Sequence, residues 1–231
     1  MIKGVASEGS AVKVAVVGAT GRTGQRIVSA LQSSEHQAIA VVRNPAKAQG
    51  RWPRVEIRTA DVTQPQTLPP ALKDCEAVIC ATGASPSLNP LEPLSVDYLG
   101  TKNLVDAAKA APVQQFILVS SLCVSQFFHP LNLFWLILYW KQQAERYLQE
   151  SGLTYTIVRP GGLKETDEGG FPIIAPADTL FEGSIPRSRV AEICVAALGE
   201  PSAYNKIFEV VSRSDQTPVA YPELFRSVAA V

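Results

Sequence analysis

The turn Gly18-Ala-Thr20-Gly21-Arg22-Thr23-Gly24 sets three glycines at GxxGxxG spacing, directly after the β-branched run Val12 to Val17 and before apolar residues at Ile27, Val28 and Leu31. Glycines here let the backbone approach a pyrophosphate, and the N-terminus of the following helix offers free N–H groups and partial positive charge. Three glycines alone define only a tight turn; placed between a strand and a helix they define a dinucleotide site. The second strand ends Val-Val-Arg43, without the Asp or Glu that would hold two free ribose hydroxyls. An arginine there suits a 2'-phosphate, so the expected cofactor is NADP(H) in preference to NAD(H). Arg22 reads equally as a second phosphate ligand and as a solvated surface charge. Asp61-Val62 closes the third strand, where the carboxylate could accept from an adenine amino group or merely cap a helix. Ala81-Thr82-Gly83 closes the fourth, where small residues let backbone pass the nicotinamide ribose.

The elements that must position these residues alternate along the chain. Apolar runs at 38–42, 55–60, 77–81, 115–120 and 154–159 read as strands, and helical spacing occupies about 24–33, 95–111 and 138–150. Strands apolar enough to be buried on both faces, alternating with helices, predict an α/β fold with a doubly wound parallel sheet. Beyond Pro160 a Gly- and Pro-rich stretch precedes a helix near 189–198, a strand at 206–211 and a terminal helix from Pro222. The expected organisation is a flexible tail over 1–11 and one domain over 12–231, with 160–190 contributing a small substrate lobe.

Bulk properties narrow the partners. The 231 residues carry 21 basic and 21 acidic side chains, so no net field exists to hold nucleic acid. The four cysteines, at irregular spacings in apolar surroundings, predict buried thiols rather than a zinc site, and no metal is expected. No apolar core of a signal peptide precedes the first strand. The most apolar run, 127–140, is interrupted by His129, Pro130 and Asn132 and falls short of the ~20 residues needed to cross a bilayer. It can instead form a lid of Phe127, Phe128, Phe134 and Trp135 over the nicotinamide, pack the core, or touch a membrane or protein partner.

GATGRTG, Asp61-Val62, ATG, VDYLGTKNLVDAAK, FILVSS, AERYLQESGLTYTIVRPGGL and GSIPRSRVAEICVAAL together resemble the atypical short-chain dehydrogenase/reductase group. The likeness is greatest to chloroplast and cyanobacterial members, with biliverdin reductase B type flavin reductases further off. The resemblance implies a Rossmann fold with a small C-terminal substrate lobe, NADP(H) along the glycine turn, and Pro160, Gly161 and Gly162 at its nicotinamide end. It also implies a catalytic Ser, a Tyr, and a Lys four residues after the Tyr. Ser120 or Ser121 fills the first position, Tyr139 the second, and Gln143 stands at the third. Lys141, two residues from Tyr139, is expected about 200° round the helix on nearly the opposite face. The literal match Tyr98-x-x-x-Lys102 precedes the FILVSS strand and reads as scaffold.

Gln143 brings no charge, which leaves Tyr139 a hydrogen-bond donor rather than a base. Two functions follow. The first is NADPH-dependent reduction of a flat electron acceptor such as a flavin or quinone, in which the cofactor supplies the hard step. The second is a non-catalytic NADP(H)-binding scaffold or redox-sensing module acting on a protein partner near a photosynthetic membrane. Either suits a cytosol-like or chloroplast-stroma-like compartment, with contact to a thylakoid surface through 127–140.

Overall fold

A computed structural model describes residues 11–84, 89–133 and 135–229. Eight strands form one twisted sheet in the order β3-β2-β1-β4-β5-β6-β10-β8. These are β1 (Lys13–Val17), β2 (Gln37–Val42), β3 (Glu56–Thr59), β4 (Ala77–Cys80), β5 (Gln115–Val119), β6 (Thr154–Pro160), β8 (Phe171–Ala175) and β10 (Lys206–Arg213). A short parallel pair, β7 (Gly162–Lys164) with β9 (Ser184–Pro186), stands apart from it.

Alternation along each strand divides the core into two layers. Val14, Val16, Ala38, Ala40 and Phe208 face α1 (Gly24–Gln32), α5 (Arg187–Ala196) and α6 (Tyr221–Arg226). Ala15, Val17, Ile39, Val41 and Phe116 face α2 (Leu68–Ala71), α3 (Thr101–Ala110) and α4 (Ile137–Gln149). Helices on both faces of a parallel sheet make the doubly wound α/β fold that the apolar strands predict. The strand order reverses between β1 and β4, and the crevice outside their C-terminal ends is where such sheets hold ligands.

Two departures from the sequence expectation matter. β8 runs antiparallel to β10 at the sheet edge, where Pro172 is tolerated because the edge of a sheet leaves one row of donors unused. The helix predicted from residue 95 begins as a π-helix over Leu94–Gly100 and becomes α-helical only at Thr101. π-turns concentrate at functional sites because the wider turn re-aims a side chain; here that side chain is the buried Asp97. The proposed tail falls almost wholly on residues outside the described range. No helix among the described residues is long and apolar enough to span a membrane.

Candidate active site

The glycine turn is built as its spacing requires. Gly18 has φ +84°, and a Cβ there would lie 2.9 Å from the Ala81 carbonyl oxygen; a Cβ on Gly24 would lie 2.2 Å from that of Gly18. Only glycine allows these two approaches. Among the described residues, the backbone N–H groups of Arg22, Thr23 and Gly24 donate to no acceptor, so the N-terminus of α1 presents open donors. These are observations of a diphosphate cradle, and the residues present fit a bound dinucleotide.

A crevice runs from this turn across the strand ends. Gly18, Thr20, Gly21, Arg43, Val62, Ala81, Thr82 and Gly83 line it, together with Lys47 and Val96. The exposed Arg43 and Lys47 place two cations at the β2 end, where the adenosine half would lie. Lys47 was hidden because it follows Pro45 in a short 3-10 turn capped by the Asn44 side chain, beyond the strand end that carries the usual signal.

Other expected cofactor residues are held by contacts within the protein. Arg22 turns to Glu165 (3.1 Å), which also receives Arg26 (2.9 Å) and Arg187 (3.0 Å). Arg187 in turn donates to Thr23 Oγ1, so this cluster ties the glycine turn to the segment after β7. Asp61 does not line the crevice: its Oδ1 accepts from the Thr63 N–H and hydroxyl, an Asx turn after β3. Pro160 and Gly161 are anchored to neighbouring strands, the Pro160 carbonyl accepting from Leu122 N and Gly161 N donating to Val210 O. Gly162 N donates to Gly183 O.

At the β4 and β5 ends a second, narrow pocket continues from Thr82. Asp97, Thr101, Ser120, Lys141 and Ala144 line it. Lys141 Nζ lies 2.8 Å from Asp97 Oδ1, and the Asp97 side chain is wholly buried. Burial disfavours the Lys141 ammonium, but the Asp97 carboxylate outweighs it and holds the lysine above its usual range. A Cβ on Gly83 would lie 3.8 Å from Lys141 Nζ, which places the ammonium beside the backbone expected to pass the nicotinamide ribose. Lys141 stands opposite Tyr139 on α4, as the helix geometry predicts, but it is the Lys141 face and not the Tyr139 face that lines the pocket. Leu138, Ala144, Glu145 and Leu148 are the buried residues of α4, and Lys141 falls on that same stripe, three residues from Leu138 and Ala144 and four from Glu145.

By the same geometry Tyr139 and Gln143, each about 200° from Lys141, turn elsewhere, and neither lines the crevice or the pocket. The Tyr139 ring packs edge-on against Phe127 and Trp140. Four residues before Lys141 stands Ile137, partly buried against the small apolar cluster of Leu122, Cys123, Val124, Leu138 and Val211. Ser120 is buried in the pocket, near enough to stabilise the Glu145 carboxylate but without a well-formed hydrogen bond. Ser121 is half-buried and lines neither space.

Glu145 is bound by Arg159 (2.7 Å), which also reaches Asp178 (2.9 Å) and Glu209 (3.3 Å). Burial pushes the Glu145 carboxyl up against the opposing pull of Arg159. Glu209 accepts from the N–H groups of Asp178, Thr179 and Leu180. This buried network fixes the loop after β8 to the sheet beside the pocket.

In the apolar segment, Asn132 is buried and organises the chain: its Oδ1 accepts from Leu138 N and Tyr139 N at the start of α4, and its Nδ2 donates to Phe127 O. Phe128 is 96% exposed, so it packs neither the core nor a lid. Phe134 lies outside the described residues. All four cysteines are buried and unpaired.

The doubly wound sheet, the glycine cradle and the crevice at the strand reversal define a nicotinamide-dinucleotide-binding protein. Residues 18–201 match the family described as NAD(P)H-binding, and the chain belongs to that family. It is 45% identical to the chloroplastic uncharacterized protein At2g34460 of Arabidopsis thaliana, over 94% of this chain and 82% of that one. It is 32% identical to sanguinarine reductase of Eschscholzia californica, over 91% and 93% of the two chains. Among solved structures, the oxidoreductase ylbE of Lactococcus lactis superposes with a TM-score of 0.78 at 25% identity, covering 93% of this chain and 95% of that one.

Proposed function

We propose that this protein is an NADPH-dependent reductase that passes hydride to a flat electron acceptor such as a flavin or quinone. The observation that carries the reading is the pairing of a full dinucleotide crevice with a pocket whose lysine has no tyrosine one turn before it. Gly18, Gly21 and Gly24 with the N-terminus of α1 would hold the diphosphate, Arg43 and Lys47 the adenosine 2'-phosphate, and Thr82, Gly83 and Lys141 the nicotinamide half. A bound nicotinamide would supply the hydride. Lys141, kept charged by Asp97, would orient and electrostatically stabilise; with Ile137 in register, the usual phenol relay is missing. Similarity to a reductase along nearly the whole of both chains supports this reading.

Steady-state NADPH consumption by purified protein across flavins and quinones, with Arg43→Ala run in parallel, tests it. Turnover that collapses in the variant supports both the reductase and its NADP preference; tight NADPH binding without turnover on any acceptor overturns the enzymatic reading. The second reading, an NADP(H)-binding module that docks on a partner, is favoured by Phe128 and Leu133, exposed at 96% and 84% on one uncharged segment.

A further inference from the structure

We infer that Glu165 competes with the diphosphate of a bound dinucleotide for Arg22: the carboxylate holds the guanidinium away from the crevice, and dinucleotide binding draws it back to the glycine turn. The inference rests on the dinucleotide site alone and stands whether or not hydride is transferred.

The first observation is where Arg22 sits and where it points. It lies between the second and third glycines of the turn, and its own N–H is one of the open donors at the start of α1. Its side chain nevertheless lines neither the crevice nor the pocket. Nη1 donates to Glu165 Oε1 at 3.1 Å, and the side chain is 70% exposed, so a single solvated ion pair holds it there. Such pairs are weak. The Arg22 backbone is braced separately, its carbonyl accepting from Arg26 Nη1 at 2.6 Å, so the side chain can turn while the cradle keeps its shape.

The second observation is that Glu165 keeps its place without Arg22. Its Oε1 also accepts from Arg187 Nε (3.0 Å) and its Oε2 from Arg26 Nη2 (2.9 Å). Arg187 is buried and bonded in turn to Thr23 Oγ1. The Arg187 hydrogen bond is the chief cause that holds the Glu165 carboxyl below the usual carboxylate range, and the charges of Arg187, Arg26 and Arg22 follow in that order. Losing Arg22 therefore leaves the carboxylate with its two better-held partners.

The third observation is charge. Three guanidinium groups crowd one carboxylate, while the charges on either side of Glu165 are matched, Lys164 by Glu168 (2.6 Å) and Asp167 by Arg189 (2.9 Å). Arg22 is the exposed, surplus member of this cation cluster. At the open N–H groups beside it, Arg22 would meet the two negative charges of a diphosphate, where Glu165 offers it a third share of one. Guanidinium–phosphate bonds are charge-assisted and bidentate, and the N-terminus of α1 favours an anion on the same side. The cost of leaving Glu165 is small on both sides of the pair, and the gain at the turn exceeds it.

The test is a double-variant cycle on the full chain, with NADP+ and NAD+ binding read by titration calorimetry. Glu165→Gln keeps an acceptor oxygen for Arg26 and Arg187 but removes the charge that competes for Arg22. It is expected to tighten both cofactors by about three-fold or more and by the same factor, because the diphosphate is common to them. Arg22→Ala is expected to weaken both by a similar factor, and Arg22→Ala with Glu165→Gln to bind as Arg22→Ala does alone. Glu168→Gln, the same charge change three residues further on, should alter affinity by less than about two-fold. Circular dichroism melts establish that the variants fold. A folded Glu165→Gln that binds no tighter overturns the inference. So does tightening that persists in the Arg22→Ala background or appears equally in Glu168→Gln, since either makes Glu165 only a fixed charge. NADPH turnover without these shifts overturns the inference and leaves the reductase reading standing; the shifts without turnover on any acceptor do the reverse.

Discussion

Lys141 on α4 and Asp97 on the π-turn before α3 meet at 2.8 Å beside the Gly83 backbone, so two elements distant in sequence close one pocket at the Thr82–Gly83 end of the crevice. The π-turn aims Asp97 inward, and the buried stripe of α4 carries Lys141 to it. A carboxylate with no solvent exposure is tolerated there because the ammonium neutralises it.

Breaking the pair from one side should be costly. Lys141→Met leaves Asp97 buried without its counter-charge and is expected to destabilise the fold by about 3 kcal/mol or more, whereas Lys141→Met combined with Asp97→Leu recovers most of the loss. Urea unfolding of the two variants and the wild type measures the difference.

The pair also gives stability a pH dependence of definite sign. The folded pKa of Lys141 is raised, with burial opposing and Asp97 dominating, while Cys80 and Glu145 add smaller contributions in the same direction as Asp97. A raised lysine pKa contributes stability that is fully present below the unfolded value of about 10.4 and is lost as pH rises through the folded value. The stability gap between wild type and the double variant should stay flat through neutral pH and shrink only above pH ~10, as urea midpoints across that range can determine.

Cofactor choice should reside in two cations at the β2 end. If the 2'-phosphate binds between them as proposed, Arg43→Ala and Lys47→Ala should each weaken NADPH binding by about ten-fold and leave NADH binding nearly unchanged. Titration of cofactor fluorescence reads both constants. Equal losses for the two cofactors would place these side chains away from the 2'-phosphate.

Much of this was legible in the sequence. Strands apolar on both faces announced a buried parallel sheet, and the three glycines after β1 placed the cradle. What stayed hidden depended on neighbours remote in the chain. Nothing local in Phe171 to Ala175 states that the strand will pair antiparallel with β10. Leu94 to Gly100 reads as ordinary helix until its wider turn directs Asp97 inward. A register anchored on Tyr139 puts Lys141 on the far face of α4, whereas the buried stripe puts it on the near one. The stripe Leu138, Lys141, Glu145, Leu148 was already present in the periodicity, and a charged pair on an apolar face is itself a signal of buried partners. Those partners, Asp97 and Arg159, lie on other elements.

The buried network behind the pocket gives a stability prediction of its own. Arg159→Met leaves Glu145 and Glu209 without their shared cation, and the expected cost is about 3–5 kcal/mol. Because Glu209 also holds the N–H groups of residues 178–180, hydrogen exchange in that loop should accelerate in the variant.

The register of α4 yields the sharpest test of the pocket. Ile137 lies four residues before Lys141 and shares its face, so Ile137→Tyr sets a phenol one turn from a lysine whose ammonium form Asp97 favours. A nearby cation favours the phenolate and makes the hydroxyl a better proton relay. The variant is therefore expected to gain aldehyde reduction by NADPH, with a bell-shaped pH profile. Gln143→Lys builds a literal Tyr139-x-x-x-Lys but aims it about 200° from Lys141, and should gain nothing. Tyrosine is larger than isoleucine and Ile137 packs against the apolar cluster that includes Leu122 and Val211, so a cost of about 1–3 kcal/mol is expected and a melt must show the fold intact. Gain in Gln143→Lys and none in a folded Ile137→Tyr would reverse the assignment and return the chemistry to Tyr139.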